Sequence, residues 1–457
     1  MQKTVVIDVV GLTSRLIGEH TPFLSKWLEK GKQINIEPVL PAVTCTAQYT
    51  YLTGNWPSEH GIVGNGWYFR DECEVKFWRQ SNHLVQAKKI WEAAKAENPE
   101  FTCANMFWWY NMYSSADFSV TPRPMYPADG RKLPDVYSHP MDLRDTLQKE
   151  LGQFPLFEFW GPKTTINSSK WIADASLKVD QWHDPTLTLI YLPHLDYNIQ
   201  RYGNDFSIIH KDLKEIDGVL EMLINYYEGK NAKVILLSEY GITDVNHPID
   251  INRVLRKNGY ITVKEELGLE LLDAGASKAF AASDHQLSHV YVKNEEDIPK
   301  VKALLEKVDG IEMVLDEEGK KQHHINHDRA GELVAVADKN SWFTYYYWLD
   351  DNKAPDFART VDIHRKPGYD PVEMFLDPKI KMPLLKVGGK LIKKKLGFRY
   401  LMDVIPLDAT LVKGSHGRLT TEPEHQAVLM SKEKELLPHP AVKAVEVYDI
   451  IWKHIWG

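Results

Sequence analysis

Val5 to Val10 is a short apolar run interrupted only by Asp8. A run of this kind suits a strand buried on both faces of a parallel sheet, where polar alternation is not needed. Similar runs recur at Thr102 to Trp109, Leu187 to Leu192 and Val234 to Leu237. Between them the spacing turns helical. Thr21-Pro22 opens a helix through Lys30, with proline at an early helical position, and Asp142 to Leu151, Ser169 to Val179 and Ile208 to Tyr227 read the same way. Strands alternating with helices predict the α/β class: a mostly parallel central sheet flanked by helices. Ligands bind such sheets at the carboxyl ends of the strands. Asp8, Asp196 and Glu239 stand at or just past those ends.

From about Asp250 to His327 the pattern changes, with its own helices and a strand at His289 to Val292. This predicts a smaller α/β cap over residues 250–330, inserted into a core made of residues 1–249 and 331–457. Past Gly331 strand-like runs resume at Glu332 to Ala337 and Phe343 to Trp348, and Val442 to Trp456 reads as a docked amphipathic helix. The single basic run, KVGGKLIKKK from Lys386 to Lys395, reads as a solvated face.

The 457 residues are 43% hydrophobic and 26% charged, enough for a large core. Net charge is 55 − 63 = −8 with histidine neutral. That balance argues against nucleic acid as a partner, because a phosphate backbone attracts basic surfaces. It leaves small phosphates open, since bound metal ions can reverse a local field. Cys45, Cys73 and Cys103 are too few and too irregular for a disulfide framework or a cysteine zinc site. The first apolar run is too short for a signal peptide, and no stretch of roughly 18 apolar residues offers a membrane span. The expectation is a cytoplasmic protein whose oligomeric state the chain does not specify.

The strongest local signal is Pro41 to Trp67, PAVTCTAQYTYLTGNWPSEHGIVGNGW. Thr44 follows a strand and opens a helix-like segment, where free backbone N–H groups and the helix dipole favour a phosphate. Threonine is a weak nucleophile unless a base or metal activates it, so the motif predicts a metal partner. Gly61 and Gly64-Asn65-Gly66 form a tight turn able to aim the Asn65 amide at a phosphoryl oxygen. A threonine at a helix start is by itself usually an N-cap; here the ensemble carries the signal. Pro-x-x-Thr, the Tyr-Leu-Thr-Gly of Tyr51 to Gly54, and Pro57 to Asn65 together resemble the nucleophile region of the nucleotide pyrophosphatase/phosphodiesterase family of the alkaline phosphatase superfamily.

The resemblance implies an alkaline phosphatase-like fold and two divalent metal ions, zinc first, with manganese or magnesium as alternatives. It implies Thr44 as nucleophile and metal ligand, Asn65 as the residue stabilising the phosphoryl oxygens, and Asp8, Asp196 and His416 as ligands. At three positions this chain departs from the family's pattern: Gln200 stands where histidine is expected, and Glu239-Tyr240 replace an Asp-His pair. Oxygen donors in place of imidazoles favour harder cations. His285, beside Asp284, and His364, two residues after Asp362, are the compensating candidates, with His194 behind them. The cluster His323-His324 and His327 reads as an exposed loop of the cap. Trp67 and Tyr68, and also Trp108 and Trp109, offer rings for stacking on a planar group, though core packing is their commoner role.

These readings predict a hydrolase of phosphodiesters or nucleotide pyrophosphates, acting through a phospho-threonine intermediate on a small phosphorylated substrate. Two alternatives stand beside it. One is a degenerate homologue that binds a phosphorylated ligand or partner without turnover. The other is a phosphonate hydrolase; a sulfatase fits less well, because the Cys/Ser-x-Pro-x-Arg pattern is missing around Thr44.

Overall fold

The computed structural model describes residues 1–437 and 439–457. Thr4–Val9 lies near the middle of a nine-stranded sheet, between Lys233–Leu237 and Leu187–Leu192 and parallel to both. Beyond Leu187–Leu192 the sheet continues through Cys103–Met106, Phe118–Pro122 and the edge strand Val136–His139. On the other side it runs through Ala427–Ser431, Lys32–Glu37 and Ala441–Lys443. All six residues of Thr4–Val9 are buried, as are all six of Leu187–Leu192. Burial on both faces is why these strands read as continuous apolar runs. The exceptions to the parallel pattern include Ala427–Ser431, antiparallel to both its neighbours, and Val136–His139 at the edge.

The long helices Ile166–His183 and Phe206–Gly229 contain the segments with helical spacing, and Asp142–Leu151 matches its expected span. Two runs read differently in space. Thr102 to Trp109 contributes a strand only over Cys103–Met106. The Phe343 to Trp348 run ends its strand at Phe343, and Tyr345 to Trp348 fill a second apolar cluster with Phe357, Val372 and Ile405.

A smaller four-stranded sheet runs in the order Ala279–Asp284, Leu287–Val292, Leu333–Ala337, Ile311–Leu315. It takes in Leu333–Ala337, so the unit expected over 250–330 extends past its anticipated end. Pairing, which sequence spacing does not reveal, decides that boundary. Its first two strands form a hairpin in which Asp284 pairs with Leu287, so His285-Gln286 is a two-residue turn. His285 has φ +61°, the left-handed region that such tight hairpin turns demand and that a residue with a Cβ enters at a cost.

Candidate active site

The helix Thr44–Thr53 is buried over its whole length and ends at Gly54, whose φ of +66° provides the left-handed cap. Thr44 is its first residue, after the extended Val43. Asp8 lies one residue before the end of the central strand, beside Leu237 and Tyr191. Glu239 and Tyr240 follow the strand that ends at Leu237, and Asp196 lies in the first turn of the helix His194–Tyr202 after Leu192. Three adjacent strand ends therefore deliver their polar residues to one place, as parallel topology requires.

Gln48, one helical turn after Thr44, organises half of this site. Its amide nitrogen donates to Oε1 of Glu239 at 2.7 Å and to Oδ2 of Asp8 at 3.3 Å. Its own oxygen accepts from the Trp109 N–H at 2.8 Å, which settles which end of the amide faces the carboxyls. Burial pushes Asp8 up to about 7, against the pull of hydrogen bonds from Glu239 and Gln48. Burial, then the charge of Asp8, pushes Glu239 well above the carboxylate range.

The other half surrounds Asp196. Oγ1 of Thr44 lies 3.1 Å from the Tyr240 hydroxyl, which is 3.5 Å from Oδ1 of Asp196. Burial, together with the charges of Asp196 and Glu239, raises Tyr240 well above 10, so it stays a neutral phenol. Its ring stacks on His416 with centroids 3.6 Å apart and planes 7° apart. His285 lies against the other histidine ring, 3.8 Å between centroids, and stacks on Tyr369 at 3.6 Å. Burial holds Asp196 up at about 7 and keeps both histidines neutral.

Four buried side-chain atoms in this cluster have no hydrogen-bond partner: Oδ1 of Asp8, Oε2 of Glu239, and Nε2 of His285 and of His416. In each case another polar atom of the same side chain is held. Gln48 holds the two carboxyls; Asp284 Oδ1 meets Nδ1 of His285 at 2.9 Å, and the Ala42 carbonyl meets Nδ1 of His416 at 2.8 Å. A hydrogen bond from Nδ1–H leaves the Nε2 lone pair free, the tautomer a metal ligand needs, with an outer partner that orients the ring. Buried carboxyls without a cation are costly to ionise. Among the described residues no lysine or arginine pairs with Asp8, Asp196, Glu239 or Asp284. Carboxyl, hydroxyl and imidazole donors of this kind are ones a divalent cation accepts. Asp8, Glu239 and Thr44 stand on one side of the cluster and Asp196, His416 and His285 on the other. Among the described residues, the one group of three ligand atoms already within 4.8 Å of one another is His194, Asp212 and Glu215.

Several expected residues sit differently. Gln200 donates to Oδ2 of Asp196 at 2.9 Å and accepts from the Tyr369 hydroxyl at 3.0 Å, so it holds Asp196 in place and both ends of its amide are engaged. Asn65 is fully buried; its oxygen accepts from the Cys45 N–H at 3.0 Å and its amide nitrogen donates to Asp284 at 3.1 Å. It thus ties the start of the Thr44 helix to the small sheet. Gly64 leaves room for this, since a Cβ there would lie 3.1 Å from Asp284. His364 meets the Phe77 carbonyl at 3.4 Å and has no hydrogen bond, ion pair or ring contact with the cluster among the described residues. His194 lies 3.2 Å from Glu215 and 3.4 Å from Asp212, in a separate polar group. Trp67, 2% exposed, stacks on Phe69 beneath Arg329, and Tyr68 packs edge-on against Phe280. Trp67 is buried and Tyr68 half-buried, and among the described residues neither ring meets the cluster; the rings beside it are Tyr369 and its half-buried neighbours Trp78 and Trp160, 6.1 and 5.7 Å from it.

Gln48 and Tyr369 join the site without a sequence reading that places them there, whereas Asp284 belongs to the Asp284-His285 pair that reads like a displaced Asp-His pair. For Gln48 a signal existed: four residues after Thr44 on one helix, it shares that residue's face.

The family model described as type I phosphodiesterase/nucleotide pyrophosphatase matches residues 4–370, most of the chain. The chain belongs to this family. Among curated members, ectonucleotide pyrophosphatase/phosphodiesterase 2 of Saccharomyces cerevisiae is 25% identical over 265 residues, 53% of this chain and 48% of that protein. Ectonucleotide pyrophosphatase/phosphodiesterase C27A7.3 of Caenorhabditis elegans is 21% identical over 246 residues, 51% of this chain and 27% of its own length. The match thus spans about half or less of these relatives. Murine ectonucleotide pyrophosphatase/phosphodiesterase 5 shares the fold with a TM-score of 0.59 at 15% identity, over 99% of this chain and 95% of its own. An inactive variant of that protein was solved with AMP. Phosphonoacetate hydrolase of Sinorhizobium meliloti 1021 aligns with a TM-score of 0.61 at 13% identity, over 99% of this chain and 96% of its own. These likenesses establish the alkaline phosphatase-like fold of the family's hydrolases.

Proposed function

We propose that the protein hydrolyses phosphodiesters or nucleotide pyrophosphates with Thr44 as nucleophile and two divalent cations as cofactors. The observation that carries this reading is the set of four unpartnered donor atoms on Asp8, Glu239, His285 and His416, linked to Thr44 through Tyr240, which meets the Thr44 hydroxyl and stacks on His416. Asp8 and Glu239 would hold one cation with Thr44, and Asp196, His416 and His285 the other; zinc suits the second set and a harder ion the first. When bound, such a pair stabilises the attacking and leaving oxygens of an in-line displacement.

The chain's own residues prepare the nucleophile. Tyr240 accepts the Thr44 hydroxyl and donates on to Asp196, which fixes the rotamer of Oγ1 and gives its proton a direction. Attack by Oγ1 forms a Thr44–phosphorus bond as the bond to the leaving group breaks. Water then releases the phosphoryl group from Thr44. Tyr369 stacks on His285, and Trp78 and Trp160 lie beside Tyr369; together they would offer aromatic surface to a planar leaving group.

The test is to quench the protein during turnover of an aryl phosphodiester and map the adduct by mass spectrometry. A phosphoryl adduct on Thr44 supports the reading; rapid turnover with the adduct elsewhere overturns the nucleophile assignment. One observation favours the second reading, ligand binding without turnover: both ends of the Asn65 amide are engaged within the protein. Absence of turnover in metal-replete protein that still binds AMP would select it.

A further inference from the structure

The basic run Lys386 to Lys395 lies in the helix Pro383–Lys395. Leu385 and Ile392 are seven residues apart and Leu396, directly after the helix, follows four later, so they fall on one line along the helix. They are 70%, 62% and 67% exposed. Met382 and Phe398, 64% and 65% exposed, lie at either end. Single exposed apolar residues are ordinary, but six among the described residues of Met382–Phe398, Leu391 included, form a feature that calls for a partner.

The opposite side of the helix is anchored. Val387 packs against the cluster around Trp348, and Lys386 and Lys390 pair with Asp403 at 3.1 and 2.7 Å. The apolar line therefore faces outward because the inner face is already used. Helical geometry places Lys393 and Lys395 on opposite flanks of that line. Both are exposed, and among the described residues no carboxylate pairs with either. Arg399 follows, exposed, with one contact to the Ala128 carbonyl at 3.3 Å. A solvated face would be polar outward; this one is apolar outward and basic at its edges, on a chain with net charge −8.

We propose that this helix docks the protein in the plane of an anionic lipid surface. The outward line would enter the acyl boundary while Lys393, Lys395 and Arg399 meet the headgroups, the arrangement of an interfacial amphipathic helix. Charge complementarity selects this occupant: a second copy would bring the same basic flanks face to face and repel. Docking is peripheral, since among the described residues no helix is long and apolar enough to cross a membrane.

The experiment is flotation of the full chain with vesicles of phosphatidylcholine alone or mixed with phosphatidylglycerol. Wild type is expected to float with mixed vesicles, less so as salt rises, and weakly with phosphatidylcholine alone. Leu385→Ser/Ile392→Ser is expected to remain in the load fraction. Lys393→Gln/Lys395→Gln is expected to bind roughly 25-fold more weakly, about fivefold per lysine. All four side chains are exposed, so both variants should fold and keep wild-type hydrolysis of a soluble aryl phosphodiester. The proposal is overturned if wild type does not bind mixed vesicles, if it binds both compositions alike, or if either variant binds as wild type does. A wild-type dimer that Leu385→Ser/Ile392→Ser dissociates would assign the face to a second copy instead.

Discussion

The amide nitrogen of Gln48 lies 2.7 Å from Oε1 of Glu239 and also reaches Oδ2 of Asp8, so one uncharged side chain aligns two buried carboxyls. The remaining oxygen of each is free. Gln48 is thus placed to orient the two carboxyls proposed to hold a cation without being a ligand itself. Replacing it with leucine should weaken cation binding by about 10- to 100-fold, the usual consequence of losing an outer partner. Elemental analysis after dialysis against graded chelator reads this directly; unchanged retention of metal would remove Gln48 from the site.

Thr44→Ala should abolish hydrolysis of an aryl phosphodiester, while Thr44→Ser should retain a measurable fraction. Loss of an activated nucleophile typically costs on the order of 10⁴-fold or more in kcat. The fold should survive, because the helix keeps its Gly54 cap and its buried packing. Circular dichroism checks the fold, and wild-type turnover by Thr44→Ala would refute the assignment.

Glu239→Ala and Tyr240→Phe separate two roles for neighbouring residues. Glu239→Ala should lose one metal equivalent, because an unpartnered carboxyl oxygen goes with it. Tyr240→Phe should keep both equivalents and its ring stack on His416, yet lower kcat by roughly 10- to 100-fold through loss of the contact to Thr44. Metal loss in Tyr240→Phe would instead make the phenol a ligand.

Burial raises Asp8 and Asp196 from 3.8 to about 7 in the folded protein. The metal-free folded state therefore binds more protons than the unfolded chain between about pH 4 and 7. Stability from these two groups is fully present below about 4 and is lost as pH rises through 7. Thermal unfolding in chelator should show Tm falling from pH 5 to pH 8. A divalent cation should reverse that trend, because it binds the deprotonated carboxylates. A chelated protein whose Tm rises over this range would contradict the assignment.

Lys366 is 1% exposed and lies 2.7 Å from both Asp370 and Glu373. Burial lowers its pKa while the two carboxylates raise it, for a net increase. Lys366→Met would leave two buried carboxylates without their cation and should cost about 3–5 kcal/mol. Urea unfolding measures this; a change within about 0.5 kcal/mol would show that the pocket neutralises itself by protonation.

Local patterning determined the α/β class, the central strands and the main helices, because burial on both faces leaves an apolar signature in the strand itself. It also set Asp8, Asp196 and Glu239 at neighbouring strand ends, since parallel topology presents such residues at one edge, while Thr44 is marked by its own motif. Tertiary structure alone decided the rest. Asp284 meets Asn65 across 219 residues, and His416 meets Ala42 across 374. Asn65 sits in a motif that sequence marks plainly, yet its partners come from the Thr44 helix and a hairpin of the small sheet. His285 reaches the site because strand pairing makes His285-Gln286 a tight turn, and Gln200 turns inward to Asp196 because Tyr369 occupies its oxygen. Hydrophobic spacing records which face of an element is buried. Which polar atoms meet once those faces are buried depends on packing between distant segments, which no local pattern encodes.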